Sequence, residues 1–308
     1  MSSTVISDLS AFSNALADLV EKTAAGVVAV KATPYRVVSG LILKQDLVAV
    51  SNHSLRREDR IPIHGVDGTE IVGTILGRDP TVDLAFLKIE NGNLKPIAAA
   101  DPTSLKAGTL AAVVGLTIDA GPSASLGILG AVGGSRRTWR GGTLDHFFRL
   151  DVNLYPSQSG AAVVDAGARL IGLATPALLR HSALAVPVAT LHRIGEELLK
   201  EGRIRYGYLG VGVHPVALAG TVREKFGIAA KSGLILLSVE PESPAESAAW
   251  LVGDILISLK GKPVTDVEEL QTALRGDTVG QRVTASLVRG GELIETGITV
   301  TERKKKGN

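Results

Sequence analysis

The 308 residues are enough for two or three domains, and 45% apolar residues allow sizeable cores. Lys+Arg 33 against Asp+Glu 31 leaves a net charge of only +2, which excludes wholesale electrostatic binding of nucleic acid. The absence of cysteine excludes disulfides and thiolate metal sites, and no run of 18 apolar residues offers a membrane-spanning helix.

Aromatics make up only 4%, so the cores must be built from Val, Leu, Ile and Ala. Thirty-five glycines spread along the chain suit many short strands and turns, a mainly β protein. Met1-Ser2-Ser3-Thr4 lack a positive n-region and a long apolar h-region, so no signal peptide is visible. The chain is expected to be cytoplasmic, or extracytoplasmic with its leader or anchor missing from this sequence.

Residues 7–22 place Leu9, Phe12, Leu16, Leu19 and Val20 at helical spacing, with Ser7 or Asp8 as N-cap. This reads as a docking helix and marks residues 1–22 as an N-terminal segment. From Gly26 onward the pattern changes to short β runs: Val27–Val30, Val37–Leu43, Leu47–Val50, Glu70–Ile75 and Asp83–Ile89. Thr33-Pro34, Asp67-Gly68, Asp79-Pro80 and Asn91-Gly92 separate them as turns. A second series follows: Leu110–Val114, Ala124–Val132, Phe147–Val152, Ala161–Val164, Leu170–Ala174 and Ala183–Val186. The Gly133–Thr143 stretch reads as an exposed, mobile loop. Two β-units of similar length, barrels or sandwiches, therefore fill residues 23–190.

Residues 191–204 return to helical spacing (Leu191, Ile194, Leu198, Leu199), with Gly202 as the stop, and read as a linker helix. A third, α+β unit occupies residues 205–302, with a helix expected at 266–275 and a shorter one near Ala245–Leu251. The basic tail 303–308, with Lys304, Lys305 and Lys306, reads as solvated; contact with nucleic acid is the weaker alternative.

Three residues carry candidate chemistry. Ser159 lies in a small polar turn, Tyr155-Pro156-Ser157-Gln158-Ser159-Gly160, between two apolar runs. His53 follows an apolar strand and Asp83 begins another. A serine hydroxyl is a poor nucleophile until imidazole takes its proton, and a carboxylate must fix the imidazole's tautomer. Alone, each residue has a commoner role: turn serine, surface histidine, turn aspartate. The other histidines (His64, His146, His181, His192, His214) lack such a context and show no metal-ligand spacing, so neither metal nor cofactor is expected.

The motifs resemble those of the HtrA/Deg trypsin-like serine proteases, a chymotrypsin-fold protease followed by a PDZ domain, over about residues 20–302. The family's T-N-x-H-V-V is represented by Ser51-Asn52-His53-Ser54-Leu55, and D-x-x-x-D-L-A-V-L-K-I almost whole by Asp79–Ile89. Its Q-T-D-A-x-I-N-P-G-N-S-G-G-P-L corresponds to Arg149–Val163. Thirty residues separate His53 from Asp83, and 76 separate Asp83 from Ser159, in family register.

The resemblance implies a double β-barrel, a His53–Asp83–Ser159 triad, and an oxyanion hole from the N–H groups of Ser157 and Ser159. Family members carry glycine where this chain has Ser157, and Gly-Gly-Pro has become Gly160-Ala161-Ala162. A Cβ at 157 is expected to tilt that N–H away or to hold the loop inactive until substrate or a partner rearranges it. A pocket lined by Ala174, Thr175, Ala183 and Ala185 would favour small or medium apolar residues before the cut.

In the third unit, Tyr206-Gly207-Tyr208-Leu209-Gly210-Val211 resembles the opening PDZ motif R-G-Y-L-G-V. The backbone at Tyr208, Leu209, Gly210 and Val211 would cradle a C-terminal carboxylate, with Leu270 and Leu274 facing the groove or the core. The expected activity is a serine endopeptidase of protein quality control acting on unfolded proteins or peptides, tethered or regulated by C-terminal peptides and often homotrimeric. The alternative is a catalytically impaired scaffold that only binds peptides.

Overall fold

The computed structural model describes residues 3–56, 60–90, 93–201, 207–274 and 278–302. The Asn91-Gly92 turn, Gly202, Tyr206, the end of the expected 266–275 helix and the basic tail lie outside the described residues. The chain divides into two compact units, Met1–Ile204 and Arg205–Asn308.

Helix α1 (Ser3–Ala24) opens the first unit. Its C-terminal half docks, with Ala24 buried and Leu19 and Val20 against the core, while Leu9 and Phe12 are exposed. Strands β1 (Val27–Thr33), β2 (Arg36–Lys44), β3 (Leu47–Ser51), β4 (Arg60–His64), β5 (Glu70–Asp79) and β6 (Leu84–Ile89) close into one barrel in the order β1-β2-β3-β6-β5-β4. Strands β7 (Leu110–Thr117) and β8 (Gly121–Gly133) lead to a short hairpin, β9 (Arg136–Arg137) and β10 (Thr143–Leu144). With β11 (Phe147–Asp151), β12 (Ala162–Val164), β13 (Leu170–Thr175) and β14 (Ala183–Pro187) they build a second barrel in the order β11-β14-β13-β12-β7-β8. This is the expected mainly β, chymotrypsin-like pair of barrels.

Side-chain alternation explains why these strands read as continuous apolar runs. On β1, Val28 and Val30 point into the first barrel with Val48, Val50, Ile61 and Leu87. Val27 and Ala29 point the other way, into a core shared with Val114, Leu116 and Val164 of the second barrel. Strands buried on both faces show no polar alternation. Strand β4, with Pro62 at its centre, is absent from the sequence reading because proline within a short run argues against a strand. Gly133–Thr143, expected as mobile, contains β9 and the start of β10. It is tied down by Thr138 Oγ1 donating to Thr81 O at 2.5 Å and by Arg140 Nη1 donating to Pro80 O at 3.3 Å.

Helix α2 (Val188–Glu201) follows β14 directly. Leu191, Ile194 and Leu198 are buried in the core between the barrels, so the helix packs as part of the first unit rather than spanning a gap.

The second unit begins with β15 (Gly207–Tyr208), β16 (Val211–Ala217) and α3 (Gly220–Phe226), followed by β17 (Ser232–Val239) and α4 (Pro244–Ser247). It continues through β18 (Ile255–Leu259), β19 (Lys262–Pro263), α5 (Val267–Ala273), β20 (Arg282–Arg289), β21 (Glu292–Thr299) and β22 (Thr301–Glu302). Its sheet runs β16-β17-β18-β20-β21, so β16 is an edge strand. Trp250, Leu209, Leu270 and Leu274 are buried in its own core.

One buried ion pair ties this unit together. Asp254, 1% exposed, accepts from Arg289 Nε and Nη2 at 2.7 Å each and from Leu251 N at 2.8 Å. Burial opposes its ionisation, yet the Arg289 hydrogen bonds, the Leu251 N–H and the guanidinium charge together hold its carboxyl below the usual range. A lowered folded value means that the stabilisation is fully present above the unfolded carboxyl's range and is lost as pH falls through the folded value. Asp254→Ala is expected to destabilise this unit by about 2–3 kcal/mol, near the lower end for a broken buried pair because Arg289 reaches solvent. Urea unfolding followed through buried Trp250 measures it, and the difference from wild type should shrink in acid.

Candidate active site

Strand register brings histidine and aspartate together. Ser51, the last residue of β3, pairs with Leu84, the first of β6. Asn52 N donates to Asp83 O at 3.0 Å, extending that ladder by one step. His53 and Asp83 thus flank the same strand ends. Asp83 adopts a left-handed φ of 57°, which aspartate tolerates better than most residues.

That conformation turns the carboxylate back on the histidine. Asp83 Oδ1 accepts from His53 N at 2.9 Å, and Oδ2 lies 2.8 Å from His53 Nδ1. Asp83 is fully buried, whereas the His53 side chain is about one-quarter exposed. A buried carboxylate aligned on Nδ1 favours the tautomer with the proton there and leaves Nε2 as an acceptor. Arg78 fixes the histidine turn from outside: Nη1 donates to Asn52 Oδ1 at 3.1 Å and Leu55 O at 3.3 Å, and Nη2 donates to Arg56 O at 2.5 Å.

Ser159 comes from the second barrel. Its Oγ is 3.2 Å from His53 Nε2, so three residues far apart in sequence form one hydrogen-bonded series. Gly160, at φ 88°, makes the sharp turn after it, where a Cβ would come within 2.1 Å of Ser39 O. Ser39 N donates to Ser159 O at 3.1 Å, and Ser39 Oγ donates to Ser157 O at 2.7 Å. The first barrel thereby grips the serine turn by its backbone.

Pro156–Gln158 forms a single 3-10 turn. Gln158 N donates to Tyr155 O at 2.9 Å, and Ser159 N donates to Pro156 O at 3.4 Å. The buried Gln158 reinforces the turn, its Oε1 accepting from Tyr155 N at 3.1 Å and Ser125 Oγ at 3.0 Å. Ser157 is not among the left-handed residues. Its Cβ is accommodated in an ordinary helical conformation, and the Pro156 carbonyl then faces the N–H that an oxyanion would require.

Of the four residues expected to line a pocket, Ala174 and Ala185 are cross-strand partners, and both are buried with Ala183 in the second barrel's core. Thr175 has another contact: its Oγ1 donates to Asp83 Oδ2 at 2.5 Å, reaching from the second barrel to the acid of the first. Sequence reasoning missed this link, Arg78 and Ser39. Arginine and serine have no local signature for gripping a remote backbone. Among the described residues no group of His, Asp and Glu is arranged to hold a metal.

In the second unit, Gly210 takes φ 81°, and a Cβ there would meet Ser243 Cβ at 2.1 Å. Glu240 N donates to Gly210 O at 2.8 Å, and Tyr208 Oη donates to Glu240 Oε2 at 2.6 Å. Val211 begins edge strand β16 and packs on the core. Leu270 and Leu274 on the α5 side are core residues, 4% and 7% exposed.

A family model for a trypsin-like peptidase domain matches residues 38–173, and one for a PDZ domain matches residues 207–300. The chain is 29% identical over 270 residues to the periplasmic pH-dependent serine endoprotease DegQ of Escherichia coli (strain K12), covering 85% of this chain and 58% of that one. It is 27% identical over 268 residues to a probable periplasmic serine endoprotease DegP-like of Pseudomonas putida (strain GB-1), covering 85% and 55%. It thus spans little more than half the length of these relatives. Among solved structures, the HtrA-type protease AlgW with decapeptide matches at TM-score 0.76 and 23% identity, over 94% of this chain and 99% of that one. A serine endoprotease from Yersinia pestis matches at TM-score 0.74 and 25% identity, over 93% and 97%. The two domain matches, in this order and over these barrels, give the chain a trypsin-like peptidase domain followed by a PDZ domain, the arrangement of the HtrA-type proteases whose fold it shares.

Proposed function

We propose that this protein is a serine endopeptidase in which Ser159 attacks the peptide carbonyl, His53 takes the Ser159 proton, and Asp83 orients and stabilises the imidazolium. The observation that carries the reading is the unbroken series Asp83 Oδ2–His53 Nδ1 at 2.8 Å and His53 Nε2–Ser159 Oγ at 3.2 Å. His53 then returns the proton to the leaving amine, and water repeats the sequence to release the acyl group. Ser157 and Ser159 N–H groups would hold the oxyanion once substrate breaks the Ser159 N contact with Pro156 O.

Substrates are unfolded or peptide-tagged proteins. The free edge of β16, beside the Tyr208–Gly210 loop, supports strand addition of a C-terminal peptide as tether or regulator. Relatives named as periplasmic support an extracytoplasmic setting. Among the described residues no helix is long and apolar enough to cross a membrane. Exposed Leu9 and Phe12 on α1 supply apolar surface for self-association as a homotrimer.

A fluorophosphonate should label Ser159 in wild type and fail to do so in His53→Ala. Absence of label even with added peptide ligands or denatured protein leaves the peptide-binding scaffold as the better account. Ser157→Gly, which frees the turn, should raise casein cleavage, by as much as roughly 10²-fold if it restores one oxyanion donor. Thr175→Val leaves the buried carboxylate one donor short, a loss of about 1–3 kcal/mol. If that loss is felt when the imidazolium forms, the labelling rate should fall by roughly 5- to 150-fold, with the circular dichroism spectrum unchanged.

A further inference from the structure

The residue after His53 brings a second hydroxyl into the reacting centre. Ser54 Oγ lies 3.3 Å from His53 Nε2 and 3.2 Å from Ser159 Oγ, and Ser159 Oγ lies 3.2 Å from the same Nε2. The three atoms make a nearly equilateral triangle. Ser54 is 3% exposed, so bulk water does not satisfy this hydroxyl. The T-N-x-H-V-V pattern has valine after the histidine, where this chain has serine.

With Nδ1–H donated to Asp83, Nε2 offers a single in-plane lone pair. Two hydroxyls at matching distances compete for it. We infer that Ser54 shares the His53 base with Ser159 and so restrains the nucleophile. The kinetic part of this inference rests on the proposed protease function; the sharing itself does not.

Two proton arrangements fit the triangle. In the first, Ser159 donates to Nε2 and Ser54 donates to Ser159 Oγ. The Ser159 proton then passes straight to Nε2 as Oγ bonds the substrate carbonyl carbon and the carbonyl π pair moves to oxygen. Even here the Ser54 donor draws density from the attacking oxygen. In the second, Ser54 donates to Nε2 and Ser159 donates to Ser54 Oγ. Attack then requires a relay: the Ser159 proton moves to Ser54 Oγ while the Ser54 proton moves to Nε2. Ser54 ends as a neutral hydroxyl, the imidazole carries the positive charge, and the substrate oxygen carries the negative charge. Near-equal sharing leaves about half of the molecules in the direct arrangement, and the apparent reactivity falls by that fraction.

The test pairs a rate with a spectrum on the full chain. Fluorophosphonate labelling of Ser159 should be at least about twofold faster in Ser54→Ala than in wild type. In a Ser159→Ala background Ser54 is the remaining partner of the base. There, at a pH where the ring is neutral, adding Ser54→Ala should shift the His53 Nε2 nitrogen resonance toward the position of an unbonded imidazole nitrogen. A resonance that does not move overturns the sharing. A labelling rate that is unchanged or lower overturns the restraint. If no variant labels at all, the protease reading fails, while the nitrogen shift still decides whether Ser54 holds the base.

Discussion

The Asp83 carboxylate is the group on which the rest of the site depends. It is buried, and a buried carboxylate is tolerable only when hydrogen bonds replace its water. Those bonds come from the His53 backbone, the His53 ring and the Thr175 hydroxyl. The first two belong to the turn after β3, and the third to the last residue of β13 in the other barrel. The contacts that neutralise the cost of burying the acid therefore also set the imidazole's orientation and clamp the two barrels together where their reacting groups meet. The hairpin through Thr138 adds to this clamp by holding the Pro80–Val82 turn that delivers Asp83.

The serine turn is built to a different standard. Ser39 fixes it through the carbonyls of Ser157 and Ser159, and Gln158 braces it from within. Yet Ser159 N–H faces Pro156 O rather than the space a substrate oxygen would enter. In the proposed mechanism the proton-transfer half is assembled, while the charge-stabilising half rests in a closed turn. A side chain at 157 is one sequence difference that accompanies this geometry. The long 3.4 Å contact is the weakest link in the turn, so it is the one that a bound substrate would break first.

Much of the architecture was legible in the sequence because the barrels bury both faces of their strands. Val27–Val30, Leu47–Val50 and Asp83–Ile89 read as apolar runs bounded by turns, and they contain the strands that frame the site. The motifs around His53, Asp83 and Ser159 were legible through family resemblance. Long-range polar contacts were not. Thr175 read as one small residue among several in a pocket wall, because nothing local reveals a bond to an acid 92 positions earlier. Gly133–Thr143 read as mobile because glycine and polar residues dominate it, although Thr138 and Arg140 anchor it to another barrel. Helix α3 offers only Val222 and Phe226 as large apolar positions and buries neither fully, so no helical period stands out.

The central claim, that a buried and aligned Asp83 makes His53 a base toward Ser159, is tested most directly by the fluorophosphonylation rate of Asp83→Asn against wild type. An amide preserves the shape but can force the other histidine tautomer, leaving Nε2 protonated. The account predicts a rate lower by roughly 10⁴-fold in a protein that remains folded. A folded Asp83→Asn protein labelling at a rate within tenfold of wild type would contradict it.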